Sequence, residues 1–165
     1  MKTIYYYQTF VGLEKALTHI EDIDVINVSS IHFGKDKDGV RSIYLNDNKP
    51  HDPLFDKLWL ETELASNQGC TIMFMMGGAG FAYKELFSDF DIYYPLLRDL
   101  INLKSYIAGI DLDIEESVTI DQIKMLINQL VKDFGEDFFI TMAPVSSTLQ
   151  NDGSSMAGFS YKDLY

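Results

Sequence analysis

Tyr106-Ile-Ala-Gly-Ile-Asp-Leu-Asp-Ile-Glu-Glu116 sets acidic residues at alternate positions behind an apolar start. As a β-strand it puts Asp111, Asp113 and Glu115 on one face and Ile110, Leu112 and Ile114 on the other, because successive strand side chains point to opposite sides. Neighbouring carboxylates in that row stand roughly 6.5 to 7 Å apart, near enough for their ionisations to couple once water is excluded. At least one of the three should therefore keep its proton to unusually high pH, as a carboxylic acid must if it is to donate near neutrality. A solvated acidic edge strand is the competing reading, and the wholly aliphatic opposite face argues against it. Glu116 falls on that opposite face and reads as a helix-side or loop residue.

Outward from this strand the chain alternates between two periodicities. Upstream, residues 3–10 read as a first strand rich in β-favouring aromatics, followed by Gly12 and a short helical pattern through Ile20. Residues 24–33 form a second, almost continuously apolar strand, as expected when both faces are covered. The turn at 34–39 and the run 40–45 predict a small hairpin hung on that strand. Residues 54–67 have the spacing of an amphipathic helix ended by Gly69, residues 71–76 are strand-like, and a helix is expected over 91–104 with Pro95 in its first turns. Downstream, Ser117 or Thr119 can cap a helix over 120–134 whose Ile123, Leu126, Ile127, Leu130 and Val131 follow the 3.6 period. Residues 138–143 are a fifth parallel strand. Residues 146–155 read as loop, and 159–165 as the start of another helix.

Five strand–helix alternations signal parallel βα units. An open doubly wound sheet and a barrel both satisfy that pattern, and the absence of a Gly-x-Gly-x-x-Gly turn after the first strand removes the usual nucleotide-binding version of the open sheet. Either way the acidic row ends a middle strand at its carboxyl end, where α/β proteins keep their sites.

Composition narrows the partners. The chain has 165 residues, 47% of them hydrophobic, and a formal net charge of −12. No Lys/Arg cluster longer than a pair occurs, so a nucleic-acid partner is not expected and an uncharged polymer fits better. His19, His32 and His51 lack ligand spacing and Cys70 is alone, which points to neither zinc nor a disulfide framework; no cofactor is expected. No apolar run approaches membrane-span length, and Met1-Lys2 runs into polar-studded sequence rather than a signal peptide, which leaves the compartment open.

Gly109-Ile-Asp-Leu-Asp-Ile-Glu115 resembles the Asp-Gly-x-Asp-x-Asp-x-Glu signature on the fourth barrel strand of family 18 glycoside hydrolases, the chitinases and endo-β-N-acetylglucosaminidases. Ala108 stands where the family has its first Asp. Met75-Met-Gly-Gly78 is similar to the family's Ser-x-Gly-Gly on the third strand, with Met75 in place of Ser, and Thr141-Met-Ala-Pro144 resembles the fifth-strand segment. The resemblance covers residues 2–144. It implies a (β/α)8 TIM-type barrel, here cut to about five βα units, since a closed barrel takes about 250 residues. Nothing after Pro144 matches the sixth-strand Met-x-Tyr-Asp segment.

The resemblance also assigns roles. Glu115 would be the general acid, Asp113 would hold and polarise the N-acetyl group that attacks in place of an enzyme nucleophile, and Asp111 would lie deeper and share a proton with Asp113. The implied substrate is β-1,4-linked N-acetylglucosamine, in chitin or the N-glycan core; the class alternative is a chitinase-like lectin or inhibitor that binds without turnover. Losing the first Asp at Ala108 would remove a supporting carboxylate. Gly77 and Gly78 are either a turn with positive φ or a place where sugar and carboxylates approach the backbone. Ala143 either packs in the core or leaves room for a pyranose. Tyr5 and Tyr7 share a strand face, and by the resemblance one of them lines the sugar pocket; without it they are core aromatics. An Asp-x-Asp clamp for Mg²⁺ or Mn²⁺ is the remaining use of Asp111 and Asp113. Secretion is the family habit, and the unclosed barrel edges predict self-association.

Overall fold

Parallel strands covered by helices on one side bury apolar residues on that side, and the chain does this with six strands in one sheet. The computed structural model describes residues 2–151 and 155–164. β1 (Ile4–Tyr7), β2 (Val25–Lys35), β4 (Thr71–Gly77), β5 (Ile107–Asp113) and β6 (Phe139–Met142) are parallel neighbours in the order β1-β2-β4-β5-β6. β3 (Arg41–Leu45) returns antiparallel on the protruding end of β2, with Ile31 opposite Leu45, which is the expected hairpin. Helices α2 (Asp56–Asn67), α4 (Phe90–Leu103) and α5 (Ile120–Phe134) separate the strands, with shorter α1 (Glu14–Leu17), α3 (Ala82–Ser88) and α6 (Ser146–Asn151) at the joins.

The core lies between the sheet and these helices. Ile26, Val28 and Ile31 of β2, Ile72, Phe74 and Met76 of β4, and Ile110 and Leu112 of β5 meet Leu58 and Trp59 of α2, Leu97 and Ile101 of α4, and Ile123, Leu126 and Leu130 of α5, all buried. α5 begins with a capping box in which Thr119 accepts from the Gln122 backbone N–H while Gln122 accepts from that of Thr119; this satisfies two N–H groups that the helix leaves orphaned.

Two expectations are corrected. α3 falls where no helix was read, because seven residues with Ala82, Tyr83 and Leu86 buried are too few to show a period. α6 replaces the start of the loop expected over 146–155; positions 152–154 lie outside the described residues.

The sheet is curved. Tyr6 on β1 reaches Asp111 on β5 with a 2.9 Å hydrogen bond, although these strands are three places apart, about 14 Å in a flat sheet. A tyrosine cannot span that, so the parallel strands roll into part of a barrel with the helices outside. β1 and β6 are its edges, and neither has a second strand partner among the described residues.

Candidate active site

β5 carries the acidic row to the carboxyl end of the rolled sheet. Asp111 is 2% exposed and both its oxygens are engaged: Tyr6 donates its hydroxyl to Oδ2 at 2.9 Å, and Thr141 of β6 donates to Oδ1 at 2.5 Å. Asp113, two residues on, is half-buried, and among the described residues none donates a hydrogen bond to its carboxylate. Burial, then the charges of Glu115 and Asp111, push its carboxyl up from 3.8 to about 6. Glu115 lies just past the end of β5 and is exposed. The Tyr6 hydroxyl is pushed up to about 12, by its own burial and then by Asp111.

Gly77, the last residue of β4, and Gly78 hold the row from the side. Gly77 and Gly78 adopt φ of +101° and +77°, and a Cβ on Gly77 would overlap the Asp113 carbonyl oxygen and the Tyr83 ring. The Gly78 N–H donates to that same carbonyl at 2.9 Å, and the Tyr83 hydroxyl donates to the Met76 carbonyl. Glu116 turns away from the row and accepts from the backbone N–H groups of Tyr83 and Lys84 at 2.8 and 3.1 Å, capping α3. The segment bearing Glu115 is thereby pinned to the loop after β4.

Ala143 comes together with Asp113 and Glu115. The three line a cavity of about 30 Å³ that Val145, Thr148, Met156 and Tyr161 close from the other side. That is room for about one water, and the space expected for a pyranose beside Ala143 is filled by these residues.

Tyr5 and Tyr7 are a correction. Both turn to the helix side of β1: Tyr7 is 1% exposed, packs edge-on against Phe10, and accepts from the Gly12 N–H, with Tyr5 stacked on it. Tyr6 is the tyrosine that faces the acidic row. Polar Asn27 of β2 pairs in register with Tyr6 and marks the inner face. Ala108 is also placed differently from expectation. Ile72 pairs with Ile107 and Met73 with Gly109, so Ala108 is the extra residue of a bulge, three residues before Asp111.

Asp111, Asp113 and Glu115 do not bring ligand oxygens within 4.8 Å of one another. Among the described residues that spacing occurs at His19, Glu21 and Asp22, all exposed and at the opposite end of the sheet. No helix is long and apolar enough to cross a membrane, among the described residues.

A rolled parallel sheet with outer helices and a carboxylate row at the strand ends defines part of a TIM-type barrel, with the row at the end where such barrels keep their sites. No family model matches the sequence, and no curated protein does. Solved structures do. The chain superposes on a chitinase from Aspergillus fumigatus with a TM-score of 0.88 and 30% identity, covering 99% of this chain and 61% of that one. A fungal endo-β-N-acetylglucosaminidase of glycosyl hydrolase family 18 gives 0.84 and 34%, with the same coverages. A family 18 chitinase from Pseudoalteromonas aurantia, at 0.65 and 18% identity, shares the fold. Over nearly its whole length the chain is similar to these structures of chitinases and a family 18 endo-β-N-acetylglucosaminidase, and it spans about three fifths of the length of the first two.

Proposed function

We propose that the chain carries the acid-bearing part of a retaining, substrate-assisted hydrolase of β-1,4-linked N-acetylglucosamine, in chitin or the N-glycan core. The observation that carries this reading is the placing of half-buried Asp113 between Asp111 and Glu115 at the end of β5, where burial and its neighbours' charges push its carboxyl up to about 6. Family 18 is an exception to the two-carboxylate glycosidase scheme, because the substrate's acetamido oxygen is the nucleophile. A carboxyl that can hold or release a proton near neutrality suits the task of gripping the acetamido N–H as positive charge develops there. Glu115, exposed beside it, then protonates the glycosidic oxygen. Gly77 and Gly78 let β5 and its carboxylates lie close against the end of β4.

The test is Glu115→Gln. It removes the donated proton and keeps the shape, so hydrolysis of an N-acetylglucosamine oligomer should fall about 10²- to 10⁴-fold while calorimetric affinity for the oligomer stays near wild type. Asp113→Asn should lower kcat more than it raises KM. Wild-type turnover in Glu115→Gln removes Glu115 as the acid.

One observation favours a second reading, a non-catalytic carbohydrate-binding protein or an inactive portion of an enzyme. The cavity touching Glu115 and Ala143 holds about 30 Å³, too little for a sugar ring. Oligomer binding without turnover in the wild-type chain would select that reading.

A further inference from the structure

We propose that the groove between the outer end of β2 and the start of α3 holds a further unit of a linear N-acetylglucosamine chain, with the Phe81 ring as its platform and His32 as its hydrogen-bonding partner. The inference rests on the hydrolase reading and deepens it, because it names where the sugar chain extends beyond the acidic row.

β2 outruns β4. The last pairing between them is Ile31 with Met76, so along residues 32–35 the edge of β2 turned away from β3 has no strand beside it among the described residues. The start of α3 lies there instead. His32, Gly34 and Lys35 on one wall and Phe81 and Glu85 on the other border a cavity of about 420 Å³. That volume falls within the range of about 300–1,000 Å³ usual for small-ligand sites, whereas the cavity touching Glu115 and Ala143 has about 30 Å³. Room for sugar is therefore found on the β2 side of the row.

The loop after β4 makes the groove continuous with that row. A Cβ on Gly78 would stand 3.4 Å from Asp113 Oδ2, and a Cβ on Gly80 would stand 3.4 Å from the His32 ring. Two residues span at most about 7 Å, so a short loop joins carboxyl to imidazole. Gly80 against His32 fixes one end of the groove. At the other end the Arg41–Asp89 ion pair, at 2.6 Å, ties β3 to the join of α3 and α4. Buried Phe33 packs edge-on against buried Tyr93 beneath. A groove braced in this way is formed before its ligand arrives, and walls fixed at both ends favour an unbranched chain over the branched mannosyl part of an N-glycan.

The lining matches a neutral pyranose, which carries C–H groups on its faces and hydroxyls around its rim. Phe81 is 66% exposed, and exposed apolar surface rimmed by polar groups marks ligand grooves. Lys84 Nζ stands 5.2 Å from the ring centre and steadies the ring. His32 is half-buried, and burial, opposed by the charge of Asp47, lowers its pKa; at neutral pH its imidazole offers one donor and one acceptor. Glu85 adds an acceptor and Lys35 a donor.

The experiment is calorimetric titration with a linear four-unit N-acetylglucosamine oligomer, in the Glu115→Gln chain so that the ligand stays intact, with and without Phe81→Ala or Phe81→Trp. Phe81 is exposed, so both substitutions should leave the fold intact. Phe81→Ala should weaken binding about tenfold and Phe81→Trp should keep it, while the His32 ring signals move in NMR spectra as the oligomer is added. The branched N-glycan core, titrated in parallel, should bind equally with and without Phe81→Ala. Equal affinity of the parent and Phe81→Ala for the linear oligomer, or unmoved His32 signals, overturns the proposal, as does an equal loss for the branched core. None of these readings needs turnover. A wild-type chain that hydrolyses nothing, with binding as expected, keeps the groove and sinks the hydrolase reading; hydrolysis lost in Glu115→Gln, with binding indifferent to Phe81, does the reverse.

Discussion

Asp113 shows the opposition of function and stability within one residue. Unfolded, it titrates near 3.8; folded, it keeps its proton to about 6. Between those values the folded state binds more protons, so its contribution to stability is complete below about pH 4 and is lost as pH rises through 6. A fully shielded group with such a shift would cost nearly 3 kcal/mol at neutrality; Asp113 is partly open to solvent, and screening reduces this to about 1 kcal/mol. Asp113→Asn should therefore raise Tm at pH 7 by about 2–4 °C and leave Tm at pH 4 almost unchanged, as read by calorimetry at the two pH values. An equal change at both would mean that burial of the charge is not what strains the site.

Among the elements, the crossing from β4 into the loop before α3 sets the position of the acidic row. Gly77 combines a positive φ with direct contact against Asp113 and Tyr83, whereas Gly135, at the end of α5 with φ of +86°, has nothing within 4 Å of its missing Cβ. Gly135→Ala should cost about 1 kcal/mol from backbone strain alone, and Gly77→Ala clearly more, above about 2 kcal/mol, because β4 and β5 must part. Denaturant midpoints measure both. Equal losses would show that the close approach to Asp113 carries no energy. The helix α5 is a simpler case: its capping box and apolar stripe lie within sixteen residues of sequence, so its start at Ile120 is legible from those residues alone. The start of α3 is not, since its N-terminus is capped by Glu116 from 33 residues away.

At the scale of the whole molecule, the rolled sheet ends in two open edges, β1 and β6, with Ile4 and Phe139 half-exposed at its inner lower rim beside a cavity of about 170 Å³. Unpaired edges and apolar surface recruit further strands. This chain should therefore show a solution mass above 18.8 kDa, rising with salt as its charge of −12 is screened over about 10 Å. It should also turn over a fluorogenic N-acetylglucosamine oligomer far more slowly than about 1 per second. A monomer at every salt concentration, with ordinary turnover, would show that five units suffice. The strands, the helices, the hairpin and the acidic row were readable because each depends on local sequence: period two for strands, 3.6 for helices, and a fixed spacing for Asp111, Asp113 and Glu115. The inward turn of Tyr6 was not readable, since three consecutive tyrosines fit either parity and only pairing with Asn27 chooses. The same holds for Thr141 and the filled space beside Ala143. Period is a property of the chain, whereas which groups meet depends on how far the sheet rolls, and that curvature is decided by packing between residues a hundred positions apart.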